Sequence, residues 1–244
     1  MDALTSAAAS GMRARMESLE MLGNNIANAS SSGFKADREF YGLYVSPEAA
    51  DSQSGTATTE LPVMERQWTD FSQGSLTPTG NPLNVALTGE GFFTVSSSNA
   101  VLYTRDGDFR LDPSGQLETQ QGYAVLDSSG KPVHLNPAKP SDVSPDGTIR
   151  QDGQVAAKLG VVRFTDANAL AKRGGLYFQA NAQLKPEASS ARVEQGALES
   201  ANVPPAEVAV RLVGVMRQFE MLQRALSLGN DMNRQAIEEV AKVS

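Results

Sequence analysis

Few side chains in this sequence belong to the types that do chemistry. The chain of 244 residues contains one histidine, His134, and no cysteine. A Ser-His-Asp triad needs a general base with its partners, and a zinc site needs several His or Cys ligands, so the sequence supports neither. His134 lies between Val133 and Leu135, in a strand-like context. The sequence therefore indicates no catalytic residue, no metal ligand and no cofactor.

Two glycine- and aspartate-rich motifs are better explained as turns than as ligand sites. Asp106-x-Asp108 begins like a calcium-binding EF-hand loop, but Arg110-Leu111 replaces the third ligand and the required glycine. Gly89-x-Gly91 lacks the third glycine and the following helix of a dinucleotide-binding loop. A hydrolase of cell-wall polymers would need a pair of catalytic carboxylates in a cleft, and no such pair is evident. We therefore expect a protein that is not an enzyme and has no small-molecule substrate.

The charge of the chain is distributed unevenly. The net charge is −7, from 21 basic and 28 acidic residues. Residues 1–40 contribute −1 (four basic, five acidic) and residues 201–244 contribute 0 (five of each), so the middle carries −6. An acidic middle argues against nucleic acid as a partner, and no apolar run has the 18 or so residues of a membrane span. The near-neutral ends suit close packing with one another.

Apolar residues recur at helical spacing at both ends of the chain. Steps of three and four residues define the seam of a helix that packs on a partner helix. The N-terminal stripe consists of Leu4, Ala8, Met12, Met16, Leu19, Leu22 and Ile26, and the C-terminal stripe of Val208, Leu212, Val215, Phe219, Leu222 and Leu226. We predict a first helix from about residue 3 to Asn28, and a second from Pro204-Pro205 to about Val243, because proline suits a first helical turn.

Between these helices the pattern indicates β-structure. Short alternating apolar runs are separated by turn signals such as Asp106-Gly107 and Asp112-Pro113-Ser114-Gly115. The predicted fold class is α+β: a coiled-coil stalk of the two terminal helices and a central, mainly antiparallel, twisted β-domain. The predicted domains are 1–29 with 203–244 as the helical assembly domain, 30–75 as an extended linker and 76–202 as the β-domain.

The C-terminal helix carries more apolar surface than one partner helix covers. Outside its stripe it contains further large apolar residues: Val210, Val213, Met216, Met221 and Leu228. A helix seam is a narrow stripe, and a soluble monomer rarely exposes a large apolar patch. The sequence therefore predicts that helices of other subunits cover the remainder.

Three sequence blocks resemble the bacterial flagellar axial proteins, the rod and hook family. The first is Asn24-Asn25-Ile26-Ala27-Asn28 with Ser32-Gly33-Phe34-Lys35. The second runs from Gly74-Ser75-Leu76 through Thr79-Gly80-Asn81-Pro82-Leu83 and Gly89-Glu90-Gly91-Phe92-Phe93 to Tyr103-Thr104-Arg105. The third is Ser200-x-Asn202-Val203 with Arg217-Gln218-Phe219-Glu220-Met221. Together they span nearly the whole chain in the order that the family has.

The resemblance implies a structural subunit of the basal-body rod, most similar to a proximal-rod member. It implies a location in the flagellar basal body within the periplasmic space and polymerisation with copies of itself and other rod proteins into a torque-transmitting shaft. It also implies export through the flagellar type III apparatus without a cleaved signal peptide, for which Phe40-x-x-x-Tyr44 is a candidate motif. The family signature then comprises Asn24, Asn25, Asn28, Gly33 and Phe34.

Two alternatives stay open. The chain could be a distal-rod or hook subunit of the same family. It could also be a β binding module that the coiled coil merely dimerises. Assembly that lengthens with concentration would favour the first group, and a closed dimer would favour the module.

Overall fold

The computed structural model describes the backbone of residues 3–44, 61–97 and 100–243. Side chains are described for residues 8–39, 67–97, 100–229, 231, 232, 234 and 235. Within these ranges two long α-helices flank a region of short strands: α1 (Ala3–Ala27) and α2 (Pro205–Val243). The predicted α+β class and both helices are therefore confirmed, with bounds that differ from the prediction by one or two residues.

The strands follow one another in short segments, as the frequent turn signals predicted. In chain order they are β1 (Asp37–Tyr44), β2 (Leu61–Thr69), β3 (Leu76–Pro78), β4 (Val85–Thr88), β5 (Phe92–Ser96), β6 (Val101–Thr104), β7 (Phe109–Leu111), β8 (Leu117–Thr119), β9 (Ala124–Val125), β10 (Ser141–Val143), β11 (Thr148–Gln151), β12 (Gln154–Lys158), β13 (Val161–Arg163), β14 (Ala171–Arg173), β15 (Tyr177–Gln179), β16 (Glu187–Ala188), β17 (Arg192–Gln195) and β18 (Ala197–Glu199). A 3₁₀ turn, Ala167–Ala169, precedes β14.

The chain forms two compact units. The helical unit comprises Met1–Ala27, Asp37–Trp68 and Pro204–Ser244, and the β-unit comprises Asn28–Ala36 and Thr69–Val203. The segment 30–75, expected to be one linker, is therefore divided. Residues 37–44 and 61–69 are paired as a two-stranded sheet, whereas 30–36 and 69–75 belong to the β-unit. The reason is that the first segment buries the side chains of Phe34 and Lys35 in the β-unit, and Phe71 of the second packs on aromatic rings of that unit.

In the helical unit α1 packs against α2. A methyl group added at Gly11 of α1 would lie 3.4 Å from Cδ1 of Leu222 on α2, so the two helices approach closely where α1 has no side chain. The β1 strand is tied to both helices. Arg211 of α2 donates to Oε1 of Glu39 at 2.7 Å, and the side chain of Asn25 of α1 exchanges two hydrogen bonds with the backbone of Asp37.

The β-unit is built on one nine-stranded sheet around β5. The order along the sheet is β14-β15-β6-β5-β9-β8-β7, and β13 pairs with both β5 and β16. Three smaller sheets accompany it: β10-β11-β12, β17-β4 and β18-β3. Every described strand pair of the β-unit is antiparallel, as predicted.

Two apolar clusters fill the β-unit. The larger contains aliphatic residues of many strands around Phe93 and Phe109, whose ring centroids lie 5.2 Å apart. The smaller is aromatic and centres on Phe92 and Phe178. Phe71, from the segment that follows β2, packs edge-on to both of these rings at 5.4 and 5.0 Å. This contact anchors residues 69–75 to the sheet.

Candidate functional site

The predicted stripe on α2 is the better buried side of that helix. We call Val208, Leu212, Val215, Phe219, Leu222 and Leu226 the inner stripe. Val208 and Val215 are buried and the other four are half-buried. Leu222 is the member that contacts α1 at Gly11.

The buried side of α1 differs from the predicted stripe. Of the predicted residues only Leu22 is fully buried; Met12, Leu19 and Ile26 are half-buried, and Met16 is 53% exposed. The side chain of Leu4 lies outside the described residues. The line of buried positions is instead Gly11, Ala14, Ser18, Met21, Leu22 and Asn25. Small residues at the first three positions allow a neighbouring helix to come close. The side of α1 that is buried is therefore the one with small side chains, not the one with the most apolar side chains.

A second apolar stripe on α2 remains exposed. We call Val210, Val213, Met221, Leu228 and Met232 the outer stripe. With 3.6 residues per turn, these positions lie on the side of α2 opposite the inner stripe. Their exposed fractions range from 49% for Val213 to 75% for Val210. Arg217 and Arg224 lie along the same side and are also exposed.

The asparagines of the first signature block do different things. Asn25 is buried at the last turn of α1: its Nδ2 donates to Asp37 O at 2.8 Å, and its Oδ1 accepts from Asp37 N at 3.0 Å. This pair of bonds holds the first residue of β1 against the last turn of α1. Asn24 is exposed on α1. Asn28 accepts from the backbone nitrogen of Ser31 through its carbonyl, which forms the turn that ends the helix.

Gly33 and Phe34 are fixed within the β-unit. Gly33 has φ +67°, a conformation that favours glycine, and an added Cβ would lie 2.2 Å from Asp106 N. Both requirements exclude any other residue without a shift of the backbone. Phe34 is completely buried, and the Lys172 ammonium lies 4.3 Å from its ring centroid. The signature at these positions is therefore a packing requirement of the β-unit.

Next to Phe34 the β-unit buries three charged side chains in one network. Glu199 Oε1 accepts from Lys35 Nζ at 2.6 Å, and Oε2 accepts from Arg105 Nε at 2.8 Å. Lys35 and Glu199 are fully buried and Arg105 is nearly so. Arg105 Nη1 also donates to the carbonyls of Gly89 and Gly91, both at 2.8 Å. The Gly89-x-Gly91 motif is thus a turn that receives a guanidinium.

Asn202 ties three chain segments together beside this network. Its Oδ1 accepts from Ala36 N at 2.8 Å, and its Nδ2 donates to Asp70 O at 2.7 Å and Ser72 O at 3.1 Å. Lys35 Nζ donates to the same Ser72 carbonyl at 2.6 Å. We call Lys35, Arg105, Glu199 and Asn202 the junction cluster.

Burial governs the electrostatics around the junction cluster. Desolvation lowers the pKa of the Lys35 ammonium, and the neighbouring Glu199 carboxylate opposes this effect. Desolvation also raises the pKa of the buried Asp106 carboxyl, which the hydroxyl of Ser32 partly offsets by donating to it at 2.6 Å. Both cations pair with the single Glu199 carboxylate, so its removal would leave two buried side chains without their anionic partner.

The other features predicted from the sequence concern export, metal binding and membrane insertion. The candidate export residues Phe40 and Tyr44 belong to β1, but their side chains lie outside the described residues. His134 is exposed. Within the described part of the chain, no three His, Cys, Asp or Glu residues come together in a way that could hold a metal ion. Among the same residues, neither helix is long and apolar enough to cross a membrane.

Sequence reasoning missed the junction cluster. Lys35, Arg105 and Asn202 lie inside the three signature blocks, but their meeting was not foreseen, and Glu199 was not singled out at all. The available signal was a polar residue between two apolar neighbours, which holds for Lys35 and Asn202 but not for Arg105, which lies between Thr104 and Asp106. Such a pattern indicates that a polar side chain is buried, but it does not indicate which residue pairs with it. Lys35 and its partner Glu199 are 164 residues apart in the sequence.

Three family models match the chain. The model described as flagella basal body rod protein matches residues 6–35, the flagellar hook protein FlgE/F/G D1 domain matches 86–157, and the flagellar basal body rod FlgEFG protein C-terminal model matches 194–239. Each matched range contributes to the junction cluster: Lys35 from the first, Arg105 from the second, and Glu199 with Asn202 from the third.

Curated proteins resemble the chain over nearly its whole length. The flagellar basal-body rod protein FlgF of Caulobacter vibrioides is 31% identical over 231 residues, which cover 93% of each chain. FlgF of Mesorhizobium japonicum is 29% identical and covers 83% of each. The flagellar basal-body rod protein FlgG of Bacillus subtilis is 26% identical over 93% of this chain and 95% of its own.

The chain therefore belongs to the flagellar basal-body rod and hook family, whose members are structural proteins of the flagellum that assemble with one another. Within the family the FlgF assignment is favoured.

Proposed function

We propose that this chain is a subunit of the proximal part of the flagellar basal-body rod. It polymerises through its terminal helices into the shaft that transmits torque. The observation that carries this proposal is the outer stripe of α2, a row of large apolar side chains that its own chain leaves exposed. Burying apolar surface contributes roughly 25 cal/mol of favourable free energy per Å². Neighbouring subunits that cover this row would therefore bind more tightly.

Two opposite apolar sides on α2 favour polymerisation over a closed pair. The inner stripe is already engaged within the subunit, whereas the outer stripe and Met16 of α1 are available to other copies. In this proposal α1 and α2 form a coiled-coil stalk, with 1–29 and 203–244 as the assembly domain. Residues 76–202 form the β-domain, and 30–75 connects the two while its ends fasten to the β-unit.

The partners follow from the same proposal. They are further copies of this chain and the other rod proteins, and, before assembly, the flagellar type III export apparatus. The subunit would pass that apparatus without a cleaved signal peptide and reach the rod in the periplasmic space. Phe40 and Tyr44 remain the candidate export motif, and their replacement by alanine is its direct test. A distal-rod or hook position is the alternative within the family.

The decisive experiment places one charge at three consecutive positions of α2. Leu222→Asp disrupts the inner stripe, Met221→Asp disrupts the outer stripe, and Gln223→Asp is the matched control at an exposed polar position. Each variant is expressed in a strain that lacks the gene, and swimming and the subunit content of isolated basal bodies are measured. We expect Leu222→Asp and Met221→Asp to abolish incorporation and Gln223→Asp to retain it.

The outcomes separate the alternatives. Incorporation of Met221→Asp at the normal level would contradict polymerisation through the outer stripe and favour a module closed by its own helices. Incorporation of Leu222→Asp would show that the inner stripe is not an assembly element. Amide hydrogen exchange in β5 verifies that the β-unit stays folded in each variant, and the axial proteins retained in the gene-deletion strain identify the rod segment.

A further inference from the structure

The β-unit connects to the rest of the chain at four points: 27/28, 36/37, 68/69 and 203/204. Three of these points are flanked by segments that meet at the junction cluster. Residues 33–36, 69–75 and 199–203 are joined there by hydrogen bonds rather than by strand pairing alone. The β18–β3 ladder also reaches this place, because Glu199 is paired with Leu76, but the bonds named above are side-chain bonds outside that ladder.

The ties between the three segments are numerous and short. Besides the contacts of Asn202, Gly33 N donates to Glu199 O at 2.7 Å and Asp70 N donates to Ala36 O at 2.8 Å. Gly74 N donates to the Glu199 carboxylate at 2.9 Å. An added Cβ at Gly74 would lie 1.9 Å from Ser200 O, which shows how closely the backbones approach.

Arg105 fastens this group of segments to the sheet. It follows β6 directly, and its guanidinium spans from Glu199 to the carbonyls that follow β4. If Arg105 did not anchor these segments, tension applied near residue 203 would act first on β18. The pairing of β18 with β3 is only three residues long. Such a short ladder opens one hydrogen bond at a time when it is pulled from its end. The anchor instead engages several bonds at once.

We propose that the junction cluster bears the mechanical load that enters the β-unit through its chain ends. It passes tension between residues 33–36, 69–75 and 199–203 and protects the short strand pairs from opening one hydrogen bond after another. This inference rests on the proposed function of the chain as part of a rotating shaft. The buried charges serve this role because a buried ion pair with its hydrogen bonds intact resists separation, since each charge would be left unpaired.

Single-molecule pulling on the full chain tests the proposal. The sequence has no cysteine, so Ser30→Cys and Pro204→Cys, both at exposed positions, provide unique handles across the junction cluster. Handles at the exposed Gln120 and Gln154 provide a second axis away from it. We expect Glu199→Gln to raise the unfolding rate at a fixed force at least tenfold along the 30–204 axis, and less than threefold along the 120–154 axis.

The matched control is Glu187→Gln, which removes an exposed pair with Arg163 at 2.9 Å in the same β-unit. We expect it to change neither axis by more than twofold, because exposed pairs contribute little. An equal effect of Glu199→Gln along both axes would overturn the proposal, because the cluster would then only stabilise the fold in general.

A milder variant covers the case in which Glu199→Gln does not fold. Asn202→Ala removes the amide ties and leaves the charges paired, and we expect a rate increase of at least threefold confined to the 30–204 axis. No axis dependence in this variant would also overturn the proposal. The pulling measurement uses single chains, so its result does not depend on polymerisation. Failure of the rod assignment would appear only in the incorporation experiment.

Discussion

The helical unit and the β-unit bury different kinds of residue. The β-unit encloses its largest apolar side chains, such as Phe93 and Phe178, although Val101 and Val155 are exposed, and it even buries charged groups that are paired with one another. The helical unit leaves large apolar side chains exposed, including Met16, Val210 and Met221. Exposed apolar patches such as those of the helical unit are typically covered by neighbouring subunits. The β-unit instead buries its core within the single chain.

The comparison separates stability from assembly. Changes in the β-unit should alter the free energy of unfolding of a single chain, because its contacts are internal. Changes on the outer stripe should alter association and leave that free energy nearly unchanged. Native-state amide hydrogen exchange, followed separately in β5 and in α2, measures the two units side by side.

The largest expected difference in unfolding free energy is between a buried apolar side chain of the β-unit and an exposed one of the helical unit. Phe93→Ala deletes a completely buried ring that packs against Phe109, and we expect the β-unit to lose about 3–5 kcal/mol of stability. Leu228→Ala removes a side chain that is 63% exposed, and we expect a change within about 0.5 kcal/mol. Similar losses for the two variants, measured by exchange in β5 and α2, would remove the distinction between the units.

The second prediction compares glycines. Gly33→Ala forces a left-handed residue and a contact with Asp106 N, so we expect a loss of about 2–3 kcal/mol in the β-unit. Gly23 lies inside α1 with no atom within 4 Å of an added Cβ, so Gly23→Ala should stabilise the helix by about 1 kcal/mol. Urea titrations of both variants test the two signs. A destabilising Gly23→Ala would mean that α1 needs flexibility at that position.

The smallest expected effect is a dependence on pH that differs between two carboxyls of the β-unit. Burial raises the pKa of Asp106 above 3.8, so its contribution to stability is full below that pH and is lost as the pH rises through the folded-state pKa. The hydroxyl and backbone of Ser114 and the Gln116 amide donate to Asp112 and lower its pKa. The contribution of Asp112 is therefore present at neutral pH and lost as the pH falls.

Asp106→Asn and Asp112→Asn measure these two signs. Between pH 4 and 7 the stability of Asp106→Asn relative to the parent should rise, because the variant avoids ionisation of a buried group. The relative stability of Asp112→Asn should fall as the pH rises towards about 4, because its pKa is lowered below 3.8, and it should stay level between pH 4 and 7. Parallel slopes for the two variants would contradict the assigned causes. Exchange in α2 should follow neither slope, because both carboxyls belong to the β-unit.

Much of the architecture was predictable from local patterns. The seams and the prolines at 204 and 205 predicted the two helices, and turn signals predicted the short antiparallel strands. These features depend on backbone geometry within a few residues, so the local sequence is enough to predict them. The same applies to the inner stripe of α2, where the periodic positions are those that the structure buries.

The sequence thus determined the elements and the family, but the tertiary structure alone decided two features. It selected the side of α1 that faces inward, where Gly11, Ala14 and Ser18 admit the partner helix although Met12 and Met16 are more apolar. It also brought Lys35, Arg105, Glu199 and Asn202 together from distant parts of the chain. Close approach and charge pairing depend on the three-dimensional path of the whole chain, and local periodicity carries no information about that path.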